Sequence, residues 1–397
     1  MDSTFPGPIP MSAKPVVPPL SILKPHTCDG SPRPMRHLRV PSAHTSHWIH
    51  RCKSNGWYEL GRRVQNVGDD TAIPLNESAP EATDSIWESH PIIEIDASEM
   101  KIRHYWEHIP LEIRNAFDDQ FPQSFEIQGD VLLVKIPEQM VEVEHEIAQA
   151  MLKQFLSVRV VCHDAGVEGE FRVRNLRVLC ARGNNDSTQT LYREHGHEFT
   201  IDPAVAYFSM RLGTQRMRTF DAVSALAQNK ARPLIVVDPY AGVGPSMALL
   251  YTKAHLVSEA YVNDMNPDAL PLLKQNMDFF HSKRKHAGIY VADCMDARTL
   301  ARSKPELVGC ADVLLVNLPH ESIDHLPDLL PLLSSDESLL CGWSIQEKEA
   351  DILERLQSVI KADGRTIVDW NIEEIKGFST AKAMFRYEFV LSSANKR

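Results

Sequence analysis

Two glycines and three acidic or amide side chains, each at the end of an apolar run, carry the strongest chemical signal in this sequence. Gly242 and Gly244 follow the run "LIVVD" within "DPYAGVGP". Glycine at such a turn lets the backbone come close to a ligand, and the amides that open the following helix attract anionic groups. The turn lacks the GK[ST] of a phosphate loop, so a nucleoside triphosphate is not expected. The next apolar run ends about twenty residues on at Asp264, where a ribose diol would be met. A third ends at Asp293, where an adenine amine could be read. A nucleoside cofactor uses all of these features, whereas an empty strand–helix turn explains only the glycines. A fourth run ends in Asn317-Leu318-Pro319. The Asn317 amide offers an acceptor and two donors to the edge of a base. The same side chain could instead cap the following helix, and the motif alone leaves both open.

These residues need a scaffold that brings strand ends together. "PLIVVDPYAGVGPSMALLYTKA", "AYVNDMNPDALPLLKQNMDFF", "IYVADCMDART" and "ADVLLVNLPHESIDHLPDLLPLL" repeat a strand, turn and helix, with "SLLCGWSI" and "AMFRYEFVLS" as later strands. Such alternation predicts an α/β, Rossmann-like, doubly wound and mostly parallel sheet over 201–397. Upstream, "FEIQGDVLLVKIP" reads as a hairpin around a Gly-Asp turn. Val143, Ile147, Met151 and Phe155 fall on one helical face. With the strand-like 158–163 and 171–183, residues 92–200 form a small α+β domain. The first 41 residues hold ten of the 26 prolines, so residues 1–91 read as a disordered tail and linker, with order beginning near Ile92.

"DPYAGVGP", "NDMNPDA" and "VNLP", in that order, resemble the class I S-adenosylmethionine-dependent tRNA (guanine(37)-N1)-methyltransferases. "YREHGHEFTIDPAVAYFSMRLGTQRMR" is similar to their REHG and PRL segments, and "FPQSFEIQGDVLLVKIP" and "GVEGEFR" to the smaller domain before the catalytic one. The resemblance covers roughly residues 105–392. It implies methyl transfer from S-adenosylmethionine to N1 of guanosine 37 of tRNA. Tyr240, Gly242, Gly244, Asp264 and Asp293 would line the cofactor site, with Asn317 and Pro319 beside it. Tyr207 and Arg211 would hold the flipped guanine and its phosphate, and Arg172 would stabilise charge developing on the purine oxygen. The family places its general base where Gln215 stands here, and an amide cannot accept the N1 proton at neutral pH. Met210 replaces the proline of PRL, and His163 a lysine of the preceding domain. His320 and Glu321 are nearby titratable groups, read most simply as solvent-facing at a helix start. No counterpart is evident for the extra N-terminal domain of archaeal relatives. The related aminocarboxypropyl transferase of wybutosine synthesis is an alternative, though its family lacks the Arg-Leu of "MRLGT" and the "NLP". A catalytically impaired RNA-binding paralogue is a second.

Composition bounds these readings. Apolar residues make up 43% and charged residues 24% of 397, ordinary for a globular protein. The net charge of −11 excludes a uniformly basic coat, so RNA must meet a local patch. Residues 172–232 carry ten Lys/Arg against five acids and are the expected patch. No apolar run is long enough to cross a membrane. Seven scattered cysteines without a CxxC pair fit a reducing compartment and give no metal site. The chain is read as a cytoplasmic monomer, with nucleus or mitochondrial matrix as further locations. The acid-poor stretch from Gly30 to Tyr58 allows a presequence, although a solvated tail is the simpler account.

Overall fold

The computed structural model describes residues 34–96, 103–117, 120–348, 350–377 and 379–393. They fall into two compact units divided after Ile102. In the first, β1 (Pro34–Pro41), β2 (Gln65–Val67), β3 (Asp70–Pro74) and β4 (Ile92–Asp96) form an antiparallel sheet in the order β2-β3-β1-β4. Helix α1 (Thr45–Ser54) buries Trp48 and Cys52 against Leu38, Val40, Ile73 and Trp87. This corrects the expectation of a disordered tail and linker through residue 91; residues 1–33 lie outside the described part. Pro34 and Pro41 bracket β1 rather than interrupt it, where a missing amide costs little. Trp87 contacts Trp48, tilted, and Trp57, edge-on, with centroids 6.1 and 5.3 Å apart. They supply a core from few residues, which composition alone does not reveal.

The second unit begins with α2 (Leu111–Ala116), the hairpin β5 (Phe125–Gln128) and β6 (Val131–Val134), α3 (Glu144–Gln154), β7 (Val160–Glu168) and β8 (Val173–Ala181). The sheet order is β5-β6-β7-β8, with β6 and β7 parallel. Ile147 and Met151 of α3 are fully buried on it, as the helical spacing predicts. Gly129, at positive φ, makes the hairpin turn. A Cβ there would run into Thr190 and the Leu191 carbonyl. Beside it Arg159 grips both oxygens of Asp130 at 2.8 and 3.0 Å. The same guanidinium donates to the carbonyls of Asn185, Ser187 and Gln189 at 2.8–3.0 Å. One side chain therefore fixes the connection into the next domain.

That connection leads to the hairpin β9 (Thr190–Glu194) and β10 (His197–Ile201), then α4 (Gly213–Lys230). The main sheet follows: β11 (Leu234–Asp238), α5 (Pro245–Leu250), β12 (Val257–Asn263), α6 (Leu270–Ser282), β13 (Ile289–Asp293), α7 (Leu300–Ser303), β14 (Val313–Val316), α8 (Ser322–Leu329), β15 (Ser338–Glu347), α9 (Ile352–Ala362), β16 (Arg365–Gly377) and β17 (Lys382–Ser393). Its order is β13-β12-β11-β14-β15-β17-β16. The first five strands are parallel, and β17 and β16 close the sheet antiparallel. The doubly wound reading holds, with an antiparallel hairpin at one end.

Strand parity explains the continuous apolar runs. Val236, Val313 and Leu315 face one core with Val223, Met247, Leu273 and Met277 of α4–α6. Val237, Leu314 and Val316 face the other with Leu300, Leu326 and Leu356 of α7–α9. A parallel strand covered on both faces has no polar side to show. The chain order reverses between β11 and β14, so their carboxyl ends border a crevice where ligands bind in sheets of this type.

Candidate active site

The turn after β11 is built around Asp264. Its carboxylate accepts the Gly242 amide at 2.8 Å and the Asn266 amide at 3.0 Å, which fastens the end of β12 to the glycine turn. Gly242 and Gly244 have φ of 55° and 80°, a region strained for residues with a Cβ. At Gly244 a Cβ would also lie 3.1 Å from Leu273. Asn263, wholly buried, donates to the carbonyls of Pro239 and Met295 and accepts from the Met295 amide. The loops after β11 and β13 are thereby tied together, a signal the sequence reading missed in "NDMNPDA".

Asp238 ends β11 at 1% exposure. Its Oδ1 accepts from the Tyr240 amide at 3.4 Å and from Asn317 Nδ2 at 3.5 Å, and its Oδ2 has no hydrogen-bond partner. Burial pushes this carboxyl up to about 7, against the Tyr240 amide and aided by the nearby Asp264 charge. Asp264 is likewise raised by burial, against the Asn266 and Gly242 amides. Asn317 is thus turned to Asp238. It is not the cap of α8, whose N-cap is Glu321. Pro319 gives its carbonyl to the Ile345 amide at 2.6 Å, fixing the loop to β15.

Of the other predicted cofactor residues, Tyr240 donates from its hydroxyl to His325 Nδ1, or accepts from it, at 2.6 Å. Asp293 accepts from the Tyr261 hydroxyl at 2.7 Å and pairs with Lys304 at 2.7 Å. Lys304 holds that carboxyl below its usual range despite partial burial. Its Oδ2 is therefore engaged within the protein.

The segment over the glycine turn is held by a buried ion pair. Arg216 meets both oxygens of Glu194 at 2.7 and 2.6 Å, donates to the Ser209 carbonyl, and lies over the Phe208 ring. His195 reaches the Gly213 carbonyl at 2.9 Å. "REHG" is thus the brace for the start of α4. Held this way, the Tyr207 carbonyl comes within 3.7 Å of where a Gly242 Cβ would stand, and the Tyr207 ring is half exposed. Arg211 is exposed and has no side-chain hydrogen bond or ion pair among the described residues. Gln215, four residues on, is 7% exposed, and its Oε1 has no partner.

Arg172 sits in the turn between β7 and β8 at φ 54°. Its charge acts on His320, just past Pro319. Burial, then Arg172, lower the His320 imidazole; Glu321 opposes this and Lys382 adds to it.

Two family models match this arrangement. Residues 107–186 match the TYW2 N-terminal domain, and residues 190–363 the TRM5/TYW2 methyltransferase domain. Residues 190–363 are thus a TRM5/TYW2 methyltransferase domain. Trm5b of Pyrococcus abyssi, a tRNA (guanine(37)-N(1))-methyltransferase, is 34% identical over 221 residues, 55% of this chain and 58% of that one. In sequence the chain thus spans little more than half the length of this relative. The crystal structure of Pyrococcus abyssi Trm5b has a TM-score of 0.57 at 23% identity, over 90% of this chain and 99% of that one. P. horikoshii TYW2 in complex with MeSAdo has a TM-score of 0.55 at 18% identity, over 72% and 99%. These structural likenesses establish the fold.

Within the TRM5/TYW2 frame, the expected basic patch dissolves. Of the ten cations in 172–232, Arg174, Arg177, Arg193, Arg216, Arg218, Lys230 and Arg232 are in ion pairs. Arg182 caps the carbonyls of Leu152 and Val158. The side chains of Arg172 and Arg211 remain without hydrogen bonds or ion pairs among the described residues. No described group of His, Cys, Asp and Glu is arranged to hold a metal, and no described helix is long and apolar enough to cross a membrane.

Proposed function

We propose that the chain transfers a methyl group from S-adenosylmethionine to N1 of guanosine 37 in tRNA. The observation that carries this is the pair of unengaged guanidiniums, Arg172 and Arg211, left over when every neighbouring cation has an internal partner. The cofactor fits the residues present: a turn whose two glycines hold positive φ, an acid at the end of β12, and an orphaned buried oxygen on Asp238. Tyr240, Gly242, Gly244, Asp264, Asp293, Asn317 and Pro319 would hold it. S-adenosylmethionine supplies, when bound, an electrophilic methyl beside the target base. Tyr207 would stack on the extruded guanine and Arg211 would take its phosphate. Removal of the N1 proton leaves negative charge toward O6, and the Arg172 guanidinium lowers that cost. The cytoplasm, with nucleus or mitochondrial matrix in addition, and a monomeric state complete the reading.

The test is mass spectrometry of digested tRNA after incubation with protein and S-adenosylmethionine. One added methyl on guanosine 37 supports the reading; an aminocarboxypropyl group or an unchanged digest overturns it. Gln215 favours a second reading, an impaired RNA-binding paralogue, because a buried amide stands where the family has its base. Gln215→Glu separates the two. A rate gain of about 100-fold or more, the usual scale of general-base catalysis, would mean the base was lost. An unchanged, substantial rate means another group accepts the proton.

A further inference from the structure

With the 172–232 cations largely engaged, positive charge for an RNA backbone has to come from elsewhere. It collects in a cleft of about 890 Å3 at the amino-terminal edge of the main sheet, beside the starts of β12 and β13. The glycine turn lies at the opposite, carboxyl edge. Arg193, Lys253, Lys283 and Lys285 line the cleft against the single carboxylate of Glu198, in a chain of net charge −11. Arg193 is paired with Glu198. Lys253 and Lys285 have no side-chain partner among the described residues, and Lys283 lies 4.9 Å from the centre of the Phe279 ring.

The lysines are presented by a fixed loop. Between Lys283 and Lys285, Arg284 turns inward, donating to the carbonyls of Tyr251 and Val257 and lying 4.3 Å over the Tyr251 ring. Gly288 leaves room for it, since a Cβ there would strike the guanidinium. The Tyr251 hydroxyl meets His281 Nδ1 at 2.9 Å, so the end of α6 is braced as well. With Arg284 committed inward, its two neighbours are left exposed. Phe279, 38% exposed on the cleft wall, offers an apolar face beside these cations. Unpaired cations next to an aromatic face are what a nucleic-acid backbone selects.

We propose that this cleft seats backbone phosphates of the RNA substrate away from the methylated base. The inference rests on the RNA-directed reading above. Seven residues of β12 span about 23 Å at 3.3 Å per residue. A hairpin loop whose base enters the carboxyl edge does not also cover the opposite edge. The phosphates held here therefore belong to another part of a folded RNA.

The test uses the triple variant Lys253→Glu, Lys283→Glu, Lys285→Glu and full-length unmodified tRNA across a salt series. Affinity falls about tenfold or more, and the slope of log K against log salt flattens by about 2 to 3, while calorimetric binding of S-adenosylmethionine is unchanged. A short anticodon stem-loop is bound equally by variant and wild type. In the wild-type chain, saturating tRNA protects the three lysine amines from acylation. Unchanged tRNA affinity and slope in the variant, or equal labelling with and without tRNA, overturns the proposal. Protection by inorganic triphosphate but not by tRNA also overturns it and assigns the cleft to a small polyphosphate. Failure of the wild type to bind any tRNA refutes the RNA-directed reading itself; wild-type binding matched by the variant refutes the cleft alone.

Discussion

Asp238 and Asp312 sit at opposite ends of neighbouring strands, both about 1% exposed, and they are treated in opposite ways. Asp312, just before β14, accepts from Lys230 at 2.7 Å, from two nitrogens of Arg232 at 2.7 Å, and from the Ile235 amide at 3.0 Å. Burial would raise its carboxyl, but Arg232, Lys230 and the Ile235 amide outweigh it and hold it low. Asp238 has one oxygen with no partner and is raised to about 7. A buried acid with every lone pair occupied serves the fold. A buried acid with an unpartnered oxygen at the edge of a crevice costs stability and is a candidate ligand contact.

The largest expected effect follows at Asp312. Asp312→Ala leaves Lys230 buried without its counter-charge and lowers stability by about 3–5 kcal/mol, read by urea denaturation. A loss under about 1 kcal/mol would break the contrast. Asp238→Asn keeps the shape and leaves stability unchanged or raised. Calorimetry should show S-adenosylmethionine bound about 10- to 100-fold more weakly, the scale of one charged hydrogen bond. Equal binding would remove Asp238 from the site.

Their pH dependences have opposite signs. The folded carboxyl of Asp238 is raised, so apo stability falls as pH climbs from the ordinary carboxylate range to about 7. The depressed carboxyl of Asp312 contributes stability that is lost only as acid takes pH below the ordinary carboxylate range. Affinity for a cationic nucleoside should rise as pH passes through about 7, and Asp238→Asn should flatten that profile. The smallest effect is at Asp293, which lies between the extremes. Tyr261→Phe removes one hydrogen bond while Lys304 stays, costing about 0.5–1.5 kcal/mol in thermal unfolding.

The parallel sheet was legible because its strands are uninterrupted apolar runs closed by Gly242, Gly244, Asp264 and Asn317, a local pattern. The α+β module was legible from the Gly129-Asp130 turn and the spacing of Ile147 and Met151. The sheet of residues 34–96 was not, because proline count masks the Leu38–Val40 alternation and its core comes from scattered tryptophans. Nor was the fate of the arginines. Arg218 pairs with Glu373, 155 positions away, and Arg216 with Glu194, 22 away. A count of charges sees an exposed patch where folding has made internal partners. Within 172–232, only the Arg172 and Arg211 side chains are left without a partner among the described residues, and composition gives no way to single them out.

Arg159 has a consequence for evolution of the molecule. Its guanidinium splints three carbonyls of residues 185–189 to the Asp130 turn, so the span from the small module to the catalytic crevice is set at one hub. A descendant that trades this arginine for lysine keeps the charge but not the planar fork, and its two halves would swivel. On the proposed reading, Arg172 would then reach the target base by chance encounter instead of by architecture. Drift in such a lineage should show first as lost selectivity for one purine edge, well before the domains themselves unravel.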